Sequence, residues 1–376
     1  MRPSGRTDKS VLSRWWWSVD RVTLTALLIL CLIGIILVSA ASPAVAERIG
    51  YAPFHFVYRH LFFLMPALAL LFGVSLMEQK TLWRASLVIL AGSLALMVAA
   101  ILFGPETKGA TRWVSLFGFS LQPSEFAKPA FAITSAWLMA RGQQSERFPG
   151  NRLSLALYLL VLCLLLLQPD LGMAFVLSCI WGVQIFLSGL PVLLIAGLAV
   201  LGFGGFFAAY MFFPHVTSRI DRFLDPAAGD NYQVQKSLDA FSNGGLFGTG
   251  PGRGQVKMTL PDAHADFIFA VAGEEFGMLA AVVIIVLFSV IIIRSITRIY
   301  HSEDLFTLLG VAGLLMQFGL QSLIHMGSSL QLLPAKGMTL PFISYGGSSL
   351  LSLGIGMGML LSLTRKRKAG RAHDEA

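Results

Sequence analysis

The sequence predicts an all-α, polytopic membrane protein of about ten transmembrane helices, with a long extracytoplasmic loop between the seventh and the eighth. Two observations carry that expectation. Hydrophobic residues make up 55% of the chain and charged residues 13%, the balance of a chain solvated by lipid. Apolar runs of about twenty residues, the length that crosses a hydrocarbon core, recur from one end to the other. Inside that core an unpaired backbone amide has no water to bond, so the runs should be helices. One membrane domain is expected over 21–363, between a basic amino-terminal segment at 1–20 and a basic tail at 364–376.

The runs fall near 21–41, 56–77, 83–104, 122–140, 153–168, 170–188, 191–213, 266–293, 304–326 and 340–363. The first is about twenty residues long with no convincing cleavage site, and reads as a retained helix rather than a leader. The fifth and sixth meet at Gln168-Pro169-Asp170, where a proline and a charge interrupt what would otherwise be one overlong run. Nine spans is the rival count. With ten, both ends share a side, which receives Arg14, Lys80, Arg84, Arg141, Arg147, Arg152, Arg294, Arg298 and Arg365 to Lys368. The positive-inside bias makes that side cytoplasmic. The other side receives Arg48, Lys108, Arg112, Lys336 and the long connection at about 214–265.

This distribution accounts for the net charge of +8 without a nucleic-acid partner, because the cations sit in short clusters between apolar runs. Cys31, Cys163 and Cys179 all lie in apolar runs without the spacing of a zinc site or a disulfide framework.

Glycine, proline and charge gather on the outer side in four segments: 108–130, 168–172, 232–277 and 333–350. An outward-facing site is the natural inference. Glu125 and Lys128 stand three apart at a helix start and can pair on one face, or serve a site. Asp170 begins a helix, where capping of the exposed amides is favoured. Asp266, preceded by Pro261 and His264, lies at the water boundary of the eighth run. It could cap the helix or act as a general base, since partial desolvation strengthens a carboxylate as a base. Glu274 and Glu275 lie two turns deeper and need protein partners, for which interhelical pairing is the better reading. Gln317, Gln321 and His325 recur every four residues as a polar stripe suited to interhelical hydrogen bonds. The stretch GGLFGTGPGRG follows no strand and lacks a Gly-Lys-Ser/Thr ending, so it is not a nucleotide loop. Arg253 and Lys257 among those glycines could still approach an anionic headgroup. A group transfer on that side needs a donor that carries its own leaving group, such as a lipid pyrophosphate.

Four pieces of the chain, ATRW…QPSEFAK, SNGGLFGTGPGRG, HADFIFAVAGEEFG and LPAKGMTLPFISYGGSSL, resemble the SEDS family (shape, elongation, division and sporulation). The likeness covers nearly the whole membrane domain. It implies a ten-helix bundle and a peptidoglycan glycosyltransferase that polymerises lipid II on the outer face of the bacterial cytoplasmic membrane. The implied partners are a class B penicillin-binding protein and, for a division member, other divisome proteins at the septum. Lys-Gly-Met-Thr at 336–339 and the basic amino-terminal extension favour division over rod elongation.

By the same resemblance, Asp266 would deprotonate the acceptor hydroxyl, and Arg112, Lys128, Lys336, Arg253 and Ser348 would contact substrate. Glu125, Asp170, His264 and Glu274 would support them. The developing pyrophosphate charge would need stabilising. A divalent cation such as Mg or Mn could assist, although no ligand set is visible and the sequence makes no cofactor certain. The family often has Asn where this chain has His325, and Gly where it has Gln331. Two rivals from other classes are a lipid II flippase and a noncatalytic scaffold. Short basic-side loops and the lack of an evident inverted repeat argue against alternating access.

Overall fold

In the computed structural model the described residues are 10–106, 110–116, 118–191, 232–334 and 337–366, with scattered positions between 193 and 221. The predicted run at 191–213 therefore lies largely outside the described residues, as do Lys108, Lys336 and the tail from 367 onward. The helices are α1 (Val11–Ser18), α2 (Arg21–Arg48), α3 (His55–Ser75), α4 (Gln79–Phe103), α5 (Pro123–Gln144), α6 (Gly150–Leu167), α7 (Leu171–Leu187), α8 (Tyr232–Gly244), α9 (Ile268–Ile299), α10 (Leu305–Ser329) and α11 (Gly347–Leu363). A small antiparallel hairpin pairs β1 (Val114–Leu116) with β2 (Phe119–Leu121), turning at Gly118, whose φ of 82° suits glycine.

Among the described residues, α2, α3, α4, α6, α9 and α10 are long and apolar enough to cross a membrane, while α7 and α11 are shorter apolar helices. Helix α5 is less apolar for a physical reason. Nearly every residue from Pro123 to Ala136 is buried, and α5 packs against α4, α6, α10 and α11. A helix surrounded by protein needs small side chains for close approach rather than a lipid-soluble surface. It forms the centre of the bundle.

The antiparallel course of the helices brings the four motif segments to one end, called the motif end below. The opposite end is basic and holds both described chain ends. There the Lys366 amide donates to Ser18 O at 3.0 Å, and Arg365 donates to Ser18 Oγ at 3.0 Å and to the Ser75 and Leu76 carbonyls. Within the segment expected to be a simple basic extension, 1–20, lies the short helix α1. Ser10 caps it by accepting from the Ser13 amide at 3.2 Å. Trp15 is buried and donates to Ser75 Oγ at 2.9 Å, whereas Trp16 and Trp17 face outward.

Two runs depart from expectation. The tenth run becomes helix, α11, only from Gly347, not from 340, because 340–346 forms a turn with Phe342 at a left-handed φ of 63°. The eighth run is not one continuous helix: Gly277 is non-helical, with φ 79° and ψ −179°. An unbroken helix would pair the Met278 amide with Glu274 O and the Leu279 amide with Glu275 O. Here all four groups bond the glycine-rich loop instead. Thr249 and Gly250 donate to the Glu274 and Glu275 carbonyls at 2.9 and 3.0 Å. Met278 and Leu279 donate to the Gly245 and Leu246 carbonyls at 2.9 and 3.3 Å. The loop thus replaces the hydrogen bonds that the break removes, which is what low-dielectric surroundings demand.

Glycine is required at this junction. A Cβ at Gly277 would lie 2.3 Å from Leu246 O, and one at Gly248, where φ is 81°, would lie 2.2 Å from Glu275 O. Gly277→Ala is therefore expected to destabilise the protein by about 2–5 kcal/mol, from left-handed strain plus overlap with backbone that cannot yield. Thermal unfolding in detergent checks it, and an unchanged midpoint would contradict the junction.

Candidate active site

Asp266 sits in the turn that precedes α9, part-exposed, with Phe267 rather than Asp266 in the N-cap position. The turn closes on itself: the Ala265 and Asp266 amides donate to Asp262 O at 2.9 and 3.0 Å. It is fastened to the segment before α11. Ser344 Oγ donates to Ala265 O at 2.7 Å and accepts from the Leu340 amide at 2.8 Å, and the Tyr345 amide donates to His264 O at 3.0 Å. Gly337 passes the carboxylate so closely that a Cβ there would stand 3.2 Å from Asp266 Oδ2. Two motifs some seventy residues apart thus form one edge around the carboxylate.

His264 holds this edge from beneath. Its ring packs on Phe56 at 4.0 Å and on Tyr345 at 5.2 Å between centroids, and its Nδ1 has no hydrogen-bond partner. Burial pushes its pKa down to about 4; Asp262 opposes this weakly and Arg48 reinforces it. An unfolded chain, with the histidine near 6.5, takes up its proton first as the pH falls. His264 therefore contributes a decline in stability from pH 6.5 to about 4, and His264→Phe should make that part of the profile shallower. Denaturation midpoints across this range check it.

From the end motif two buried polar chains run inward. In the first, Thr339 Oγ1 and Ser349 Oγ lie 2.7 Å apart, and Gln321 Nε2 donates to Thr339 O at 3.0 Å and to Thr339 Oγ1 at 3.2 Å. Gln321 Oε1 accepts from Lys128 Nζ at 3.1 Å, and Lys128 pairs with Glu125 at 2.9 Å. Lys128 is only 2% exposed, and its charge is shared between Glu125 and Gln321. In the second chain, Ser348 Oγ accepts from the Gln122 amide at 3.0 Å. Gln122 Nε2 donates to Asp170 Oδ2 at 3.3 Å, and Asp170 caps α7 by accepting from the Met173 amide at 3.3 Å. Arg112 closes the chain: it lies 3.7 Å from Asp170 and donates to Gln168 O at 3.1 Å and to Pro169 O. Its side chain remains 28% exposed.

The carboxylates deeper in α9 do not pair with another transmembrane helix, as their position suggested. Glu274 accepts from Asn243 Nδ2 at 3.0 Å, the Val256 amide at 2.7 Å and the Lys257 amide at 2.9 Å. Glu275 accepts from the Gly252 amide at 2.9 Å and pairs with Lys257, which also donates to Ala40 O at 2.8 Å. Both glutamates clamp the glycine-rich loop onto the broken helix. Lys257 is thereby neutralised and buried, leaving Arg253 as the exposed cation of that loop among the described residues.

The polar stripe on α10 bonds both a helix and a loop: Gln321 takes Lys128 of α5, as an interhelical stripe should, and also reaches the end motif. His325 Nδ1 lies 2.6 Å from Met338 O, and Gln321 holds Thr339. At the end of α10, Gln331 occupies a left-handed φ of 58°, the conformation for which glycine is the ordinary choice.

Comparison with known proteins agrees with this architecture. A family model described as cell cycle protein, covering FtsW, RodA and SpoVE, matches residues 20–369. The chain belongs to the SEDS family and is most like FtsW. A probable peptidoglycan glycosyltransferase FtsW of Caulobacter vibrioides is 41% identical over 96% of this chain and 93% of its own length. Another, from Coxiella burnetii, is 36% identical over 94% of this chain and 98% of its own length. Among solved structures, a chain of a peptidoglycan synthase complex that coordinates polymerization and crosslinking superposes with a TM-score of 0.74. It is 27% identical and the match covers 93% of this chain and 98% of that one. Thermus thermophilus RodA gives a TM-score of 0.67 at 26% identity, over 93% of this SEDS chain and 97% of that one.

Proposed function

We propose that this SEDS protein is a peptidoglycan glycosyltransferase that polymerises lipid II on the outer face of the bacterial cytoplasmic membrane during cell division, with Asp266 as general base. The observation that carries the reading is the setting of Asp266. Its carboxylate is part-exposed at the motif end, held between a stapled turn and Gly337, in a chain whose relatives are named as this enzyme along nearly their whole length.

The chemistry balances on one proton. Asp266 takes the proton of the acceptor sugar's hydroxyl as that oxygen bonds to the donor's anomeric carbon. The bond from that carbon to the pyrophosphate oxygen breaks, and the electron pair leaves with undecaprenyl pyrophosphate. Charge then develops on the leaving group, where a fixed cation is worth most. Arg112, Lys336, Arg253 and Ser348 are the proposed substrate contacts, and Lys128 with Glu125 is proposed to position the end motif rather than to touch substrate. Asp170, His264 and Glu274 hold the turns and loop described above. Among the described residues no group of three His, Cys, Asp or Glu is placed to hold a metal ion.

The basic end, with both described chain ends, is proposed to be cytoplasmic on the positive-inside rule. A class B penicillin-binding protein is the proposed partner, supported by the likeness to a chain from a complex that couples polymerization to crosslinking. The other divisome proteins and the septal location follow from the division assignment. Purified protein with its partner transpeptidase, supplied with lipid II in detergent, should yield glycan strands that lysozyme degrades. A flippase or a scaffold would leave the lipid II unpolymerised, and that result would refute the reading.

A further inference from the structure

At the basic end, α1, the start of α2, the end of α9 and the chain after α11 line an open cavity of about 240 Å³. Its lining includes Trp17, Asp20, Arg21, Arg294, Arg298 and Lys366, which is four cations against one carboxylate. Asp20 is spoken for. It accepts from Arg294 Nε at 3.1 Å, from Arg298 at 2.8 Å and from Thr23 Oγ1 at 2.8 Å. Burial alone would raise its pKa, but these hydrogen bonds and the Arg298 charge hold it below the usual carboxylate value. One negative charge cannot neutralise this wall. The Nε and Nη1 of Arg298 are buried without a hydrogen-bond partner, and Arg21 and Lys366 make no ion pair among the described residues.

Beside the cavity the surface turns apolar. Trp16, Trp17 and Val22 are each about half-exposed, and Ile293 and Ile296 flank Arg294 on the outer face of α9. The Arg21 guanidinium lies over both tryptophan rings, 4.9 and 4.8 Å from their centroids. Guanidinium groups, an ammonium and tryptophans at one level of a helical bundle, above a strip of lipid-facing isoleucine and valine, suit a ligand with an anionic head and hydrocarbon tails.

We infer that this cavity binds the phosphate of an anionic phospholipid, with Arg21, Arg298 and Lys366 as donors and the acyl chains lying along Val22, Ile293 and Ile296. Binding would tie α1 and the end of α11 to α9 through a lipid headgroup. Under the orientation proposed above the lipid belongs to the cytoplasmic leaflet.

Native mass spectrometry of the full chain released from nanodiscs of equal parts phosphatidylglycerol and phosphatidylcholine tests it. The wild type should retain phosphatidylglycerol preferentially, and Arg21→Gln with Lys366→Gln should cut that preference about tenfold or more. Neither of those residues pairs with Asp20, so the fold should persist. Lys80→Gln with Arg84→Gln, which removes exposed cations of the same end outside the cavity, should leave the preference unchanged. Asp20→Asn should preserve or strengthen retention, because it frees both arginines, whereas a merely structural cluster would weaken. Equal retention of the two lipids by the wild type would overturn the inference. So would an equal loss in the Lys80/Arg84 variant, or stabilisation by inorganic phosphate matching that by phosphatidylglycerol.

Discussion

Asp266→Ala is expected to lower the rate of lipid II polymerisation by about 10²- to 10⁴-fold, the usual contribution of a positioned general base, while leaving the fold intact. The two halves of that statement have separate grounds. The carboxylate is part-exposed and is not the N-cap of α9, so its loss opens no cavity in the core, and a stability change within about 1 kcal/mol is expected. Its surroundings are built by backbone and the Ser344 hydroxyl: the turn from Asp262 to Asp266, the Ser344 and Tyr345 staples, and the close pass of Gly337 all survive the substitution. Asp266→Asn keeps the shape and removes only the basicity, so it should be nearly as inactive as Ala. Initial rates of glycan formation and thermal midpoints, measured on the same preparations, separate the effects. Polymerisation by Asp266→Asn within about tenfold of the parent would place the base elsewhere.

Lys128→Met is expected to be the most destabilising single change in the central helix, costing about 3–5 kcal/mol, because it leaves Glu125 uncompensated in a buried site. It also removes the donor to Gln321 Oε1, which in turn holds Thr339 and the end motif. The double variant Glu125→Met/Lys128→Met deletes both charges and should recover most of the lost stability, as replacement of buried ion pairs by apolar side chains commonly does. Polymerisation should remain impaired in the double variant if the pair positions the motif. Thermal midpoints of the two singles and the double complete the cycle. Additive losses would show that the two side chains act independently.

Much of the architecture was legible because hydrocarbon thickness imposes a length on every crossing. The runs predicted near 21–41, 56–77, 83–104 and 304–326 correspond to α2, α3, α4 and α10, with most ends shifted by a few residues and α2 continuing to Arg48. What periodicity could not distinguish was a glycine that continues a helix from one that breaks it. Gly277 sits in an apolar run and reads the same either way; its conformation depends on the Gly245 to Gly250 backbone arriving to take the opened hydrogen bonds. The tenth run was overextended for a similar reason: LPFISYGG is apolar enough to resemble a helix start, yet Phe342 turns the chain.

The candidate site divides in the same way. Asp266 could be singled out by its residue type and its place before an apolar run, and Asp170 by its place at a helix start. The partners of Glu274 and Glu275 could not, since the amides of Gly252, Val256 and Lys257 reach them from a separate loop. Nor could sequence rank the cations, because Lys128 and Arg253 are alike as residues and opposite in burial. By itself, the order of residues determined the membrane class, the six long apolar crossings and the family, since hydrophobic length and local motifs are properties of contiguous chain. Tertiary structure alone decided which charges are neutralised, where a helix breaks and which loop repairs it. Those outcomes depend on pairing buried polar groups across long sequence separations, and no local pattern records which partner will be in reach.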